Sequence, residues 1–404
     1  MTMALHPMSA SDRLHRLAGA AEAELHRLIP FWLALRDPSG GFAGKADASG
    51  QAVWSADKGA VLQARILWFF SKAATALEDP ALLDAASHAC RFVTQRLVDP
   101  HHGGVIWTST ASGAPTDAQK HLYAQAFAIQ GLAAFHQARG DAGALGLAQE
   151  LWRTVERHAA DPEHGGYLEA FTADWRPRSN DLMGRPQAPK SFNAHLHLLE
   201  AYGALWEAWP DTELGRRIEA LVALLTGPMF DRGRRTFRQF FDSDLAPLGD
   251  GGSSGHDIEA SWLIPAIAAR LSPATGAAAA AALAGVAGTL LANAPDEPGD
   301  LPTGITPSGR PDRRRIWWIQ AEALVGFLDA HERQSDPRFL AAAERIWDFI
   351  DRAMIDRDHG EWRWRPNPDG HAPPNAPKAS LWKCPYHNGR ACLEVMNRAR
   401  RLAG

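Results

Sequence analysis

DPHHGGVIW, Asp99 to Trp107, is one member of a series. The same Asp, Pro and paired glycines stand in DPSGGF from Asp37 and in DPEHGGYLE from Asp161, each 62 residues from the next, and a further version, DRDHGEWRW, begins at Asp356. Weaker members, DRGRRTF at Asp231 and PDEPGDLPTG around Asp296, fill the interval. About six units of roughly 60 to 70 residues result, a period that suits helical-pair repeats.

Between the turns the apolar residues recur at helical spacing, as in VLQARILWFFSKAATAL, LYAQAFAIQGLAAFHQA, AHLHLLEAYGALWEAW, IEASWLIPAIAARL and WWIQAEALVGFLDAHE. Each unit holds two such segments, and the second follows a short connection such as Asp79-Pro80 or Asp336-Pro337, where Asp offers a cap and Pro a first helical residue. Six hairpins with apolar faces satisfy one another by closing into a ring, so the predicted fold is all-α, an (α/α)6 barrel. An open superhelix would need polar terminal caps, and neither end carries one. No linker divides the chain, so residues 1–404 are expected to form a single domain. The Gly- and Pro-rich inserts SNDLMGRPQAPKS and DSDLAPLGDGGSSGHD, with HAPPNAPKAS, are expected to be functional loops at one mouth. The turn histidines His101, His102, His164 and His359 are expected at the opposite rim, in structural roles.

The formal charge of -4 and the scattered arginines argue against nucleic acid or an anionic membrane as partner. No stretch is expected to serve as a membrane span or targeting segment. Three cysteines are too few for a secreted disulfide framework, and a cytoplasmic protein, monomer or homodimer, is expected. Fifteen tryptophans against four tyrosines hint at a surface that holds sugar rings.

Polar residues gather at the starts of the segments that would form the inner layer. They are Arg65; Lys120 and Tyr123; Asn193 and His197, four apart on one face; His256 and Glu259, three apart; Trp317, Trp318, Gln320 and Glu322; and His387 with Arg390 in WKCPYHNGR. His195 points off the face that Asn193 and His197 share and is expected to be structural. His256 and His387 each follow a Gly- or Pro-bearing loop and open a helix, which favours function. Cys384, His387 and Cys392 lack the fourth soft ligand of a zinc site, since Cys90 falls in an outer helix. No G-x-S-x-G elbow, phosphate loop or dinucleotide fingerprint is present. Two histidines, several carboxylates, an arginine and stacking tryptophans suit proton transfer on a neutral polar substrate.

LQARILWFFS, LYAQAFAIQGL, NAHLHLLEAY, GHDIEASWL, WWIQAEALVGF and WKCPYHNGRACLE together resemble the N-acylglucosamine 2-epimerase superfamily, and within it the cellobiose 2-epimerase branch. The resemblance runs from LIPFWLALRDPSGGF to the end of the chain. It implies reversible inversion at C2 of a reducing-end aldose, with a small sugar as partner and neither metal nor organic cofactor. It makes His256 and His387 the two acid/base groups, with Glu259 orienting His256. His197, with Asn193, would assist ring opening or bind the hydroxyls at the carbonyl end, and Arg65 would stabilise an enediolate. Trp317, Trp318 and Trp382 would hold sugar rings, with Tyr123, Glu322 and Arg390 as further pocket residues. The alternatives are aldose-ketose isomerisation of mannose and, on the same fold, an inverting glycoside hydrolase that would use Glu259 and Glu322.

Overall fold

Six helices lie side by side in a closed inner ring: α2 (Ala60–Leu77), α4 (Leu122–Arg139), α6 (Phe192–Ala208), α8 (Ser254–Leu271), α11 (Trp317–Gln334) and α13 (Tyr386–Ala403). Each packs on the next, and α13 returns to α2. Around them stand α1 (Ala10–Ala34), α3 (Pro80–Phe92), α5 (Ala142–His158), α7 (Thr212–Thr226), the pair α9 (Pro273–Ala282) and α10 (Val286–Asn293), and α12 (Pro337–Phe349). This is the expected (α/α)6 barrel. The computed structural model describes residues 8–403 apart from 183, 184, 186, 295–298, 307 and 367–374, so the turn at Asp296 and much of HAPPNAPKAS lie outside the described residues.

The two layers differ as their sequences do. Every residue of α4 from Leu122 to Phe135 is buried, because an inner helix meets neighbours on all sides. In α12 the buried set Phe339, Leu340, Ala342, Ala343 and Ile346 forms one stripe, the mark of an outer helix with a wet back. Asp79, Asp141, Asp211, Ser272 and Asp336 cap the outer helices by accepting from first-turn N–H groups. Five inner helices pair with the outer helix that follows them, whereas the sixth pair joins the first and last helices, α1 and α13.

The turn signatures sit at the rim where the inner helices begin, not at the opposite one. An outer helix climbs back to the rim from which its inner partner descended, so the turn after it must open there. The signature works as a clamp. Its Asp accepts from a buried lysine just before the next inner helix: Asp37 from Lys58, Asp99 from Lys120, Asp161 from Lys190 and Asp356 from Lys378, at 2.6 to 2.7 Å. Gly103 and Gly104 both take positive φ, 70° and 72°, which lets the chain reverse inside this short turn. Lys120, read as a mouth residue, belongs to this clamp. The turn histidines His101, His102, His164 and His359 face solvent.

A second lock uses the fourth residue of the inner helix. Gln63, Gln125 and Gln320 each accept the N–H and donate to the C=O of one residue after the turn: Phe42, Val105 and Leu301. Asp257 accepts from Phe237 N–H in the same way. In α6 the position is His195, whose Nε2 accepts from Tyr167 N–H while Nδ1 donates to Ser191 O, the structural role expected for it. Burial pushes the His195 imidazole down to about 4. The unfolded chain therefore takes up a proton near pH 6.5 that the folded chain refuses, and stability present above that pH is lost as pH falls toward 4. Glutamine, already used in three other units, carries no such proton. The His195→Gln variant is expected to lose about 2 kcal/mol less stability than the parent between pH 7.5 and pH 5, as measured by urea unfolding at both.

One stretch is longer and more apolar than the sequence reading allowed. Pro273–Asn293 is an uncharged run whose mean hydropathy of 1.6 meets the requirement for a membrane span. In the structure it is broken into α9 and α10 by Gly285, at φ 88°, and packs against α8.

Candidate active site

The starts of the inner helices surround a pocket of about 440 Å³. Its walls carry Arg65 from α2, Tyr123 from α4, Asn193 and His197 from α6, His256 and Glu259 from α8, Trp317 and Trp318 from α11, and His387 from α13, with Trp382 just before α13. Glu322 and Arg390 join the site through hydrogen bonds to these residues. The repeat accounts for the convergence. The sixth residue is Arg65 in α2, Phe127 in α4, His197 in α6, Glu259 in α8 and Glu322 in α11, half a turn past the fourth-residue lock. One face of each inner helix therefore fastens the rim while the other addresses the cavity.

Three histidines reach the pocket, and each is held by Nδ1. His256 Nδ1 meets Gln239 Oε1 at 2.7 Å, and the Gln239 amide donates to Phe237 O, which fixes its oxygen toward the ring. Nδ1 of His256 therefore carries the proton and Nε2 the lone pair. His387 Nδ1 donates to Glu322 Oε1 at 2.7 Å and His197 Nδ1 to Glu200 Oε2 at 3.0 Å, with the same result. Burial pushes His256 down to about 3, with His197 adding to the shift. Burial, then the guanidinium charges of Arg65 and Arg390, push His387 well down. Both shifts favour the neutral ring.

Among the described residues no hydrogen bond joins Glu259 to His256, the partner the resemblance implied for it. Glu259 accepts from Arg390 Nη2, as does Glu322 at 2.7 Å, while Arg390 Nη1 serves Glu200 at 2.7 Å. A neighbour three residues away on a helix shares a face without necessarily sharing a bond, and here the guanidinium from α13 takes the carboxylate first. Burial, then the charge of Glu322, push Glu259 up to about 7 against the pull of Arg390. Glu259, Glu322 and His387 bring three ligand-type atoms within 4.8 Å of one another. The cation at that point is the Arg390 guanidinium, already bonded to both carboxylates.

Among the described residues, Arg65 differs from Arg390 in having no carboxylate hydrogen-bond partner. It donates to Tyr123 Oη at 2.7 Å and lies over the Phe127 and Tyr386 rings at 4.0 and 4.6 Å. Trp318 sits beside both histidines, its ring centroid 5.0 Å from His256 and 5.4 Å from His387. Gly255 permits this: a Cβ there would come within 2.5 Å of the Trp318 ring. Trp317 packs on Trp364 at 4.5 Å, and Trp382 on Trp107 at 5.6 Å. Cys90, Cys384 and Cys392 are buried free thiols.

Sequence reasoning passed over Gln239, Glu200, Tyr386 and Trp364. Glu200 stands three residues after His197 and Tyr386 one before His387, so both were within quoted motifs. Gln239 lies in the loop after a turn, where no periodicity marks it.

A ring of six helical hairpins with imidazoles, a buried arginine and indoles around one pocket is the make-up of an (α/α)6 enzyme for a small polar substrate. The profile of the N-acylglucosamine 2-epimerase family matches residues 40–390. Cellobiose 2-epimerase of Bacteroides fragilis is 35% identical over 383 residues, covering 92% of this chain and 96% of that protein. The solved structure of cellobiose 2-epimerase from Spirochaeta thermophila superposes with a TM-score of 0.91 at 38% identity, covering 98% of this chain and 100% of the other. D-mannose isomerase of Marinomonas mediterranea is more distant, 23% identical over 93% of this chain and 96% of its own length. The chain belongs to the N-acylglucosamine 2-epimerase family and is an isomerase, a sugar 2-epimerase.

Proposed function

We propose that the enzyme inverts C2 of a reducing-end aldose, either a cellobiose- or mannobiose-type disaccharide or free mannose and glucose, through an enediolate. The observation that carries this reading is the pair His256 and His387, each with Nδ1 bound and Nε2 open to the pocket beside one indole. The carbonyl of the open-chain sugar acidifies the C2 hydrogen, and a neutral Nε2 removes it. The electron pair moves toward O1, where the Arg65 guanidinium stabilises the developing charge. The second imidazole must enter the step protonated at Nε2 as well as Nδ1, and return of that Nε2 proton to the other face of C2 gives the epimer, leaving the first imidazole protonated in its place. Glu322 holds His387 in the right tautomer and stabilises its protonated form, and Gln239 fixes the tautomer of His256. Trp317, Trp318 and Trp382 offer ring surface to the sugar, with Asn193 and Tyr123 as polar contacts.

A glycoside hydrolase would fit less well. Inversion by hydrolysis needs carboxyl groups about 6.5 to 9.5 Å apart across the bond, whereas Glu259 and Glu322 have oxygens within 4.8 Å and share one guanidinium.

Proton NMR of cellobiose, mannobiose, mannose and glucose, each incubated with the enzyme in D2O, tests the proposal. Loss of the C2 proton signal together with growth of the C2 epimer is expected for at least one sugar. Fructose as the sole product from mannose would replace the reading by aldose-ketose isomerisation. No exchange at C2 in any sugar would end it.

A further inference from the structure

The insert SNDLMGRPQAPKS precedes α6, and one of its residues dips inward alone. Residues 176–179 and Asp181 are exposed, yet Asn180 between them is 2% exposed. Its amide is used at both ends. Nδ2 donates to Glu169 Oε2 at 2.9 Å, and Oδ1 accepts from His121 Nε2 at 3.0 Å. The sense of the second bond is fixed from behind: His121 Nδ1 accepts from Tyr123 N–H, so the ring proton lies on Nε2. Burial pushes His121 down to about 4, which keeps that ring neutral. Glu169, fully buried, accepts from Ser191 N–H with its other oxygen. The position therefore demands an acceptor on one side and a donor on the other, which the amide of asparagine supplies. His121 and Ser191 cap α4 and α6, so Asn180 ties the insert to the starts of two inner helices.

Two residues after this anchor, Leu182 lines the pocket, the one wall residue that the insert supplies among the described residues. Asn180 itself does not line it. We propose that Asn180 is a positioning residue for sugar binding, pinning the insert so that Leu182 closes one wall of the pocket against the sugar; the identity of the ligand rests on the C2-epimerase reading. Asn180 governs affinity and leaves proton transfer alone. Among the described residues no hydrogen bond of Asn180, His121 or Glu169 reaches His197, His256 or His387. The anchor does adjoin the indole wall: the Trp107 ring lies 5.6 Å from the His121 ring on one side and 5.6 Å from the Trp382 ring on the other.

Asn180→Ala removes both bonds and leaves the His121 N–H and a Glu169 oxygen buried without partners, so the insert no longer has a fixed seat. With cellobiose and mannose as probes, Asn180→Ala is expected to raise KM at least about tenfold while kcat stays within about threefold of the parent. Leu182→Ala should raise KM in the same way. The double variant should be no worse than the more affected single one, because Asn180 acts through Leu182. A parent-like KM in Asn180→Ala, a loss confined to kcat, or two effects that multiply in the double variant would overturn the proposal. So would a lowered Tm with KM unchanged, which would make Asn180 a purely structural residue. If Asn180→Ala does not fold, Leu182→Ala decides, and a parent-like KM there removes the wall through which Asn180 works. If the parent exchanges no C2 proton in any sugar, the epimerase reading falls and the dissociation constants of cellobiose and mannose, read from tryptophan fluorescence, replace KM. An unchanged constant in Asn180→Ala, or no binding by the parent, would then overturn the proposal as well, whereas a weakened one would uphold it.

Discussion

The His387→Asn variant is expected to retain about 10⁻³ of the parent kcat, with KM changed by no more than about threefold. Asparagine keeps a donor for Glu322 Oε1 and lacks the second ring nitrogen, so the loss reports chiefly on proton transfer. A general base or acid is worth about 10² to 10⁴ in rate, and this site asks one imidazole to take a proton and another to return it. The same substitution at His256 should give a loss of similar size, since neither imidazole can serve both faces of C2. Steady-state kinetics on the sugar identified by D2O exchange would check both. A loss below about tenfold at either histidine would mean that the residue positions the sugar without carrying its proton.

Arg390→Met is expected to cost about 3 to 5 kcal/mol of stability at pH 7.5 and to abolish measurable turnover. Arg390 is 3% exposed, and its removal strands Glu200, Glu259 and Glu322 together without their shared counter-charge. The pH dependence separates this cause from lost packing. Burial already pushes Glu259 and Glu322 up, and without the guanidinium they rise further. A carboxyl whose folded pKa lies above its unfolded value contributes stability that is present below about pH 4.3 and lost as pH rises through the folded value. The deficit of Arg390→Met relative to the parent should therefore shrink as pH falls from 7.5 toward 5.5. Urea unfolding across that range measures it, and a pH-independent deficit would assign the loss to the methylene stem instead.

Much of this was legible because the fold repeats. The 62-residue interval from Asp37 to Asp99 to Asp161 counts the units, and a common register then brings Arg65, His197, Glu259 and Glu322 to one cavity. What stayed hidden depends on direction and on single bonds. The rim occupied by the turn signatures follows from the sense in which each outer helix runs, which helical periodicity does not encode. The partner of His256 is Gln239, seventeen residues away in an irregular segment, while the obvious helical neighbour Glu259 is claimed by a guanidinium 131 residues further on. His195 could be separated from His197 by face alone, because helical positions two apart point about 200° apart. Closure of the ring by the first and last helices could not be read from hairpins whose members are consecutive.

That closure has a consequence for how the enzyme is made. On the ribosome α1 emerges first, and the helix against which it packs, α13, is synthesised after every other helix. Throughout that interval Leu14, Leu17, Leu25, Leu28 and Trp32 have no native cover from α13, a long-range debt of the kind that slows folding and recruits chaperones. The same helix brings His387 and Arg390, so a chain that has made five of its six inner helices lacks both the proposed second base and the counter-ion for Glu259. Chains that have not yet docked α13 are therefore expected to show no sugar turnover.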